Sequence, residues 1–397
     1  MNSRPASVPA SGPLAPALAP GRALGVVIVS FRSQDVILDC LESLLATAGQ
    51  PLRILIVDNA SGDGTPARIR AWADGSDPAP DPVPADSVLP YDRVPHGPVP
   101  LEAVPEGGAG PRAGAVGLLE LPENRGFAGG VNAGLAALAA LPEVAAFWVL
   151  NPDAMSAPDT PARMMAAADA RPDWGLLGGR IFYAGTGAGV GGPPAIQCDS
   201  GVIERRRGVC RMLNTGEGPD TPLPKRIDYV SGAHLMISRP MLAWTGGLVE
   251  DYFLYWEEID LAARRGDLTL GLVPHAPVFH HSGTAIGSPA PGRGPGEMSA
   301  WFNARGALRF QWRHNPMHLP TTWTWLFARA GRAAARGHWP AVRGVLRAAL
   351  GMGPPAEVRR RLSPVALGLA TAAPEPGIPR GPISRERALT GTGRKAA

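Results

Sequence analysis

Three acidic clusters and a histidine pair are the residues of this chain that could do chemistry. Asp58 and Asp63 follow one apolar run and Asp153 follows another. Glu257, Glu258 and Asp260 lie within one helical turn, and His280 and His281 close a further apolar run. Oxygen ligands with an imidazole suit Mg²⁺ or Mn²⁺. Such an ion commonly clamps a diphosphate, while a carboxylate elsewhere in the cleft serves as general base. Each cluster also has a plainer reading. Asp58 and Asp63-Gly64 suit turns, Asn151-Pro152 initiates one, and carboxylates on a solvated helix face are only surface charges.

The elements around these clusters read as alternating strands and helices. Gly25–Phe31 is a continuous β-branched run of the kind buried on both faces of a parallel sheet. Asp35–Ala48 carries apolar residues at helical spacing, and Arg53–Val57 is a second buried strand, so a βαβ unit opens the domain. Val116–Leu121 and Ala146–Leu150 continue the pattern, with Glu123–Gly134 leading into an Ala-rich helix between them. In such sheets ligands bind beyond the carboxyl ends of the strands, where Asp58 and Asn151-Pro152-Asp153 fall. Short strands are expected over 176–183, 201–213, 229–238, 270–273 and 277–280, and a helix over 251–265. On that helix Glu257 and Asp260, three apart, share a face from which Glu258 points about 100° away.

The chain has 397 residues and a formal net charge of +4, too balanced for a protein that coats nucleic acid. Its 45% apolar content supports a proper core, and 50 Gly with 44 Pro call for irregular segments around it. We expect a disordered N-terminal tail over 1–24, which lacks the apolar core of a signal peptide. A loosely packed Pro/Gly-rich insertion is expected over 74–112 inside a catalytic domain of 25–297, followed by a basic helical extension over 298–352 and a mobile tail over 353–397. No apolar run approaches the roughly 18 residues of a membrane span. Cys40, Cys198 and Cys210 have no metal-ligand spacing and suit reduced thiols in the cytoplasm.

The order and wording of the motifs add a stronger signal. Six blocks occur in sequence: Val27–Phe31; Ile56-Val-Asp-Asn-Ala-Ser-Gly-Asp-Gly-Thr65; Glu123-Asn-Arg-Gly-Phe-Ala-Gly-Gly130; Leu150-Asn-Pro-Asp153; Tyr229-Val-Ser-Gly-Ala233; and Gly246–Leu261 running on to His280-His-Ser-Gly283. On these blocks the chain resembles the family-2 glycosyltransferases, in their rhamnosyltransferase-like branch, from Gly25 to about Ser282. The resemblance implies an α/β protein of GT-A fold, a mostly parallel central sheet flanked by helices, with a C-terminal helical extension. It implies inversion at the anomeric carbon and a UDP- or dTDP-sugar donor. It also implies a divalent cation, Mg²⁺ or Mn²⁺, and a cell-surface glycan or lipid-linked acceptor.

Carried over residue by residue, Asp58 matches the acid that hydrogen-bonds the pyrimidine, and Asn124, Arg125 and Gly126 match the donor-contacting loop. Asp153 matches the metal-binding acid, with Asn151 on the ribose or a metal-bound water. His280 matches the histidine that completes the metal site, and Ser231 and Gly232 line the donor phosphates or the acceptor cleft. Glu258 occupies the position of the base, usually Asp, with Glu257 and Asp260 as alternatives. Val131 and Val249 stand where the family commonly has Asn and Asp. Between Met298 and Ala356 there are eight arginines and no Asp or Glu, with five tryptophans interleaved. This stretch suits either peripheral contact with the inner face of an anionic membrane or a helical pair with a basic rim. No recognised nucleic-acid module accompanies the charge. The rival functional readings are an impaired sugar-nucleotide-binding scaffold and, more weakly, an NAD-dependent Rossmann enzyme, for which the phosphate-loop glycines are misplaced.

Overall fold

The computed structural model describes residues 22–77, 96–184, 194–281 and 295–374. The expected tail over 1–24 lies outside them up to residue 21; Ala23 and Leu24 are already buried in the first strand.

The first half is the alternating pattern read from the sequence. It runs β1 (Ala23–Ser30), α1 (Ile37–Leu45), β2 (Leu52–Asp58), α2 (Thr65–Asp74), β3 (Leu101–Ala103), β4 (Val116–Glu120), α3 (Gly126–Ala139) and β5 (Val144–Leu150). The chain continues through β6 (Ala154–Ser156), α4 (Thr160–Asp169), β7 (Trp174–Gly178), β8 (Ile181–Tyr183), β9 (Ile196–Cys198), β10 (Gly201–Glu204), β11 (Val209–Met212) and β12 (His234–Ser238). It ends with α5 (Arg239–Thr245), α6 (Glu257–Ala263), β13 (Thr269–Leu272), β14 (Val278–His280), α7 (Glu297–His314), α8 (Leu319–Ala335), α9 (Trp339–Ala349), α10 (Ala356–Arg361) and α11 (Pro364–Thr371).

The main sheet has the order β13-β7-β12-β5-β1-β2-β4-β3, parallel throughout except for β12, which is antiparallel to both its neighbours. Alternate residues of β1 enter opposite cores: Leu24, Val26 and Ile28 meet α1, α2 and α4, whereas Val27 and Val29 meet α3. Burial on both faces is why this strand reads as an unbroken apolar run. Register aligns Ser30 with Asp58, Asp58 with Glu120, and Ile28 with Leu150, so the carboxyl ends of four strands form one edge. Because β12 runs the other way, its start at His234 faces Leu150, and Ser231–Ala233 arrive at that same edge.

A second sheet, β6-β14-β8-β9, is built from short strands. In it His280 pairs with Ala154, which places Asp153 beside the His280–His281 step.

Three segments depart from the sequence reading. The insertion over 74–112 is partly ordered: Leu101–Ala103 form the edge strand β3, parallel to β4. A Pro/Gly-rich composition hid these few apolar residues; residues 78–95 lie outside the described residues. The tail after Gly353 folds into α10 and α11. The expected helix over 251–265 is shorter, a 3₁₀ turn at Glu250–Tyr252 followed by α6 only from Glu257. Between them Phe253, Tyr255 and Trp256 all have positive φ, at 66°, 65° and 80°, which breaks the helix.

The split at residue 297 also cuts through one packing unit. Ala307 and Phe310 of α7 join the core that contains α3 and α6, and Phe302 lies under Phe253 with rings 5.7 Å apart. The arginines of this region are not all unopposed. Arg309 and Arg313 meet Asp251 at 3.2 and 2.8 Å, and Arg343 and Arg347 meet Glu297 at 3.1 and 3.2 Å. Opposing charges come from outside the Arg-rich stretch, so composition alone could not show them.

Helix α9 lies against α7 at Gly344. A Cβ there would sit 2.3 Å from the Glu297 carbonyl and 2.9 Å from Ala300 Cβ. Gly344→Ala should push the two helices apart and lower the unfolding free energy by about 1–3 kcal/mol. Urea unfolding followed by tryptophan fluorescence checks this; an unchanged midpoint would contradict the close packing.

Candidate active site

A cavity of about 290 Å³ opens along the sheet edge and is lined by residues from almost the whole chain, Val29 to Leu362. Asn124, Gly126, Asn151, Asp153, Ser231, Gly232, Glu257, Glu258 and His280 all reach it. Most of the residues singled out from the sequence are thus brought together. Asp58, Arg125 and Asp260 are not among its lining residues, and each has another occupation.

On one side stands a carboxylate–imidazole pair. Asp153 Oδ1 is 2.9 Å from His280 Nε2, and Asn151 Nδ2 is 3.1 Å from the same nitrogen. Gln197 Oε1 lies 2.8 Å from His280 Nδ1. Nε2 and Asp153 Oδ1 thus converge, while Gln197 orients the ring through Nδ1. An imidazole nitrogen and a carboxylate oxygen brought together this way are donors that suit a divalent cation. Among the described residues no three His, Cys, Asp or Glu side chains gather to hold a metal. Two protein donors nevertheless fit Mg²⁺ or Mn²⁺, ions that keep positions for substrate phosphates and water. His281 donates its backbone N–H to the Asp153 carbonyl at 3.0 Å and is not a lining residue. Alternation along the extended chain accounts for the separation of the two histidines.

Opposite this pair, Glu257 and Glu258 begin α6 and both face the cavity. One oxygen of each is buried with no hydrogen-bond partner. The expected geometry, with Glu257 and Asp260 on a shared face, is therefore corrected: the neighbours Glu257 and Glu258 go together and Asp260 turns away. Position in the first turn, entered from the strained Phe253–Trp256 segment, decides this rather than regular helical phase. Burial, and then the charge of Glu258, push the Glu257 carboxyl well above its usual range. Burial raises Glu258 to about 7. Burial thus favours the protonated form of both carboxyls, and their mutual repulsion disfavours ionising both together.

Asp260 is fully buried in a cationic nest. It is 2.6 Å from Arg264 Nε, 2.7 Å from His314 Nε2 and 3.6 Å from Arg313, and it accepts from the Tyr252 hydroxyl at 3.2 Å. Burial alone would raise its pKa, but the His314 hydrogen bond and the charges of Arg264, His314 and Arg313 hold it below the ordinary carboxylate value. A carboxylate so held is no general base, and Asp260 is corrected to a structural anchor between α6 and α7.

Asp58 accepts from Ser30 Oγ at 3.0 Å, from Ser61 Oγ and from Ser61 N–H at 3.0 Å, so it secures the turn after β2. Asn59, its neighbour, lines the cavity instead. The Arg125 guanidinium leaves for Glu106 at 2.7 Å. Asp63 accepts from Thr65 N–H at 2.9 Å, the turn role read for it.

Asn59 is the residue the sequence reading overlooked within a recognised block. Its Oδ1 accepts from Arg125 N–H at 2.9 Å and its Nδ2 donates to the Gly126 carbonyl at 2.8 Å, locking the start of α3. Gly126 has φ 74°, and a Cβ there would lie 2.3 Å from the Phe253 carbonyl, which accepts from Phe127 N–H at 2.8 Å. Gln197 carried no signal at all. Val131 and Val249, the two departures from the family pattern, are both core residues, and the loop bearing Val249 is clamped by Asn132 through Leu248 N–H and C=O at 2.9 Å each.

A mostly parallel α/β sheet with these groups at its strand ends, supplied by the six sequence blocks, is the arrangement that the resemblance to glycosyltransferases implied. Residues 25–81 match the model of the family described as glycosyl transferase family 2. The N-acetylglucosaminyl-diphospho-decaprenol L-rhamnosyltransferase of Mycobacterium tuberculosis is 26% identical over 337 residues, covering 79% of this chain and 92% of its own length. On both comparisons the chain is similar to family-2 glycosyltransferases. Solved structures with some likeness include the mannosyltransferase PcManGT from Pyrobaculum calidifontis in complex with GDP-Man and Mn²⁺. It is 17% identical, with a TM-score of 0.43 over 83% of this chain and 86% of that one. Residues 1–349 of S. aureus TarS are 13% identical, with a TM-score of 0.43 over 87% and 86%.

Asp260→Asn should destabilise the fold by about 3–5 kcal/mol, because it strands buried cations. Chemical denaturation of the variant checks this, and a stability within about 1 kcal/mol of the wild type would undo the anchoring role.

Proposed function

We propose that the chain transfers a sugar with inversion from a UDP- or dTDP-sugar to a hydroxyl of a lipid-linked acceptor that feeds a cell-surface glycan. Rhamnose is the sugar suggested by the Mycobacterium tuberculosis relative, whose name also gives a diphosphate-linked decaprenol acceptor. The observation that carries the reading is the placement of Asp153 and His280 in the same cavity as the buried Glu257–Glu258 pair.

In the proposed reaction the acceptor oxygen forms a bond to the anomeric carbon. The bond from that carbon to the diphosphate oxygen breaks, and its electron pair leaves with the nucleoside diphosphate. Glu258 takes the acceptor proton. A base poised near neutrality combines the right protonation state with a useful driving force. Asp153 and His280, with Asn151 beside them, would hold Mg²⁺ or Mn²⁺, which when bound supplies neutralising charge to the leaving diphosphate. Asn124 and Gly126 shape the wall beside the donor, and the longer Glu258 side chain is accommodated against Gly232, whose Cβ position lies 3.9 Å from Glu258 Cδ.

A peripheral membrane contact fits this acceptor. No helix among the described residues is long and apolar enough to cross a membrane. On α8, however, Trp323 and Phe327 are 43% and 45% exposed, and Arg332 and Arg336 have no carboxylate partner among the described residues. Trp323→Ala with Phe327→Ala should reduce co-sedimentation with phosphatidylglycerol vesicles and leave the fold intact. Equal sedimentation of both proteins would argue against this face.

Glu258→Gln should lower transfer by about 10²–10⁴-fold. In the wild type kcat/KM should rise with pH through about 7, as Glu258 loses its proton. Glu257→Gln, which leaves Glu258 in place, should keep an acid limb in the profile, whereas Glu258→Gln should abolish it. Asp153→Ala should remove metal-dependent release of the nucleoside diphosphate across a panel of UDP- and dTDP-sugars. Nucleotide binding without any turnover, with every acceptor tried, would instead favour the scaffold reading.

A further inference from the structure

Next to the active cavity lies a second, polar basin of about 590 Å³. Four arginines line it, Arg343 and Arg347 from α9 and Arg360 and Arg361 from α10, together with Glu297 and Glu357. Glu297 holds Arg343 at 3.1 Å and Arg347 at 3.2 Å, and Glu357 holds Arg361 at 2.9 Å. Arg360 has no carboxylate partner among the described residues. Four guanidiniums over two carboxylates leave an excess of two positive charges, and the carboxylates fix three of the four forks in place.

Arg361 lines both spaces, the basin on one side and the active cavity on the other. Beside it in the active cavity stand Val358 and Leu362, again from the C-terminal segment. The cavity that holds Glu258 therefore meets a cationic basin at one shared residue. Guanidinium forks from two separate helices suit the several oxygens of a phosphate or diphosphate better than a point charge does.

We infer that this basin binds the phosphate or diphosphate group of the acceptor, with Arg361 at the seam and the acceptor's hydroxyl extended toward Glu258. The inference rests on the transferase reading above. It gives the acceptor an anionic handle of its own, separate from the Asp153–His280 side assigned to the donor diphosphate. Arg360 and Arg361 are positioning residues that act through the acceptor's phosphate and do not touch the reacting atoms.

The test is calorimetric titration of the full chain with inorganic diphosphate and with farnesyl diphosphate, both in EDTA, and with UDP in Mn²⁺. The variants are Arg360→Gln/Arg361→Gln, Arg361→Lys and Asp153→Ala, each checked for an unchanged circular dichroism spectrum and Tm. The double variant should bind both diphosphates roughly tenfold or more weakly, on the scale of a lost charged hydrogen bond, and bind UDP as the wild type does. Arg361→Lys should recover part of the loss. Asp153→Ala should do the reverse, losing UDP and keeping farnesyl diphosphate. Wild-type affinity for farnesyl diphosphate in the double variant would overturn the inference, as would a wild-type chain that binds neither diphosphate. An equal loss of UDP would reassign the basin to the donor. Loss of binding to phosphatidylglycerol vesicles, with soluble diphosphate binding kept, would reassign it to lipid headgroups. Retained UDP binding in Asp153→Ala would count against the transferase reading's metal site while leaving the basin result standing.

Discussion

The Phe253 carbonyl is the joint on which the candidate site depends. It accepts from Phe127 N–H at the start of α3, and only a residue without a Cβ fits at Gly126 against it. Asn59 ties the same turn to the end of β2 from the other side. One backbone contact thus fastens the loop that follows the parallel strands to the strained segment that launches α6. The two halves of the cavity, the Asp153–His280 wall and the Glu257–Glu258 wall, keep their distance because this joint fixes where α6 begins. Strain in the Phe253–Trp256 segment is stored where it sets the direction of two carboxylates, as is common at functional sites.

The electrostatics divide along the same helix. Within α6, Asp260 is surrounded by Arg264, Arg313 and His314, while Glu257 and Glu258, less than one turn earlier, form no ion pair among the described residues. Identical chemistry is sent in opposite directions by surroundings: one carboxylate is kept ionised and structural, and two are kept poorly solvated and easily protonated. Arg264 at the end of α6 and Arg313 and His314 of α7 do the first job, which ties α7 into the same packing unit although its composition sets it apart.

The parallel half of the fold was legible because strands buried on both faces, such as Val26–Val29 and Ile54–Val57, leave an unmistakable run of β-branched residues. The site residues at strand ends were legible through their motifs: Asn151, Asp153, Ser231, Gly232 and His280 all reach the cavity. Legibility failed where local pattern and tertiary contact diverge. Helical phase paired Glu257 with Asp260, but the chain enters α6 from left-handed conformations that no apolar periodicity reveals. Asp58 sits in a recognised block and still turns into its own loop, because Ser30 and Ser61 supply donors that become neighbours only after the sheet forms. Gln197 reaches His280 across a pairing of short strands, and nothing in its own surroundings marks it. The segment from Val358 to Leu362 was hidden by its composition, since Pro, Gly and Arg suggest a solvated tail even when a few apolar residues are enough to dock it.

That docking has a consequence for how the protein comes into being. Ser363 hydrogen-bonds Glu123 across 240 positions of sequence, and the wall it completes is made by some of the last described residues closing on some of the first. During synthesis the strands of the parallel half leave the ribosome long before Val358, Arg361 and Leu362 exist. A nascent chain can therefore form its sheet while its reaction chamber still lacks a side. Contacts of such long range close late, because the entropy of the intervening loop is lost before they give any return. A closed cavity is thus acquired near the end of folding, and a chain cut short before α10 would carry most of the chemical groups in a vessel open to water.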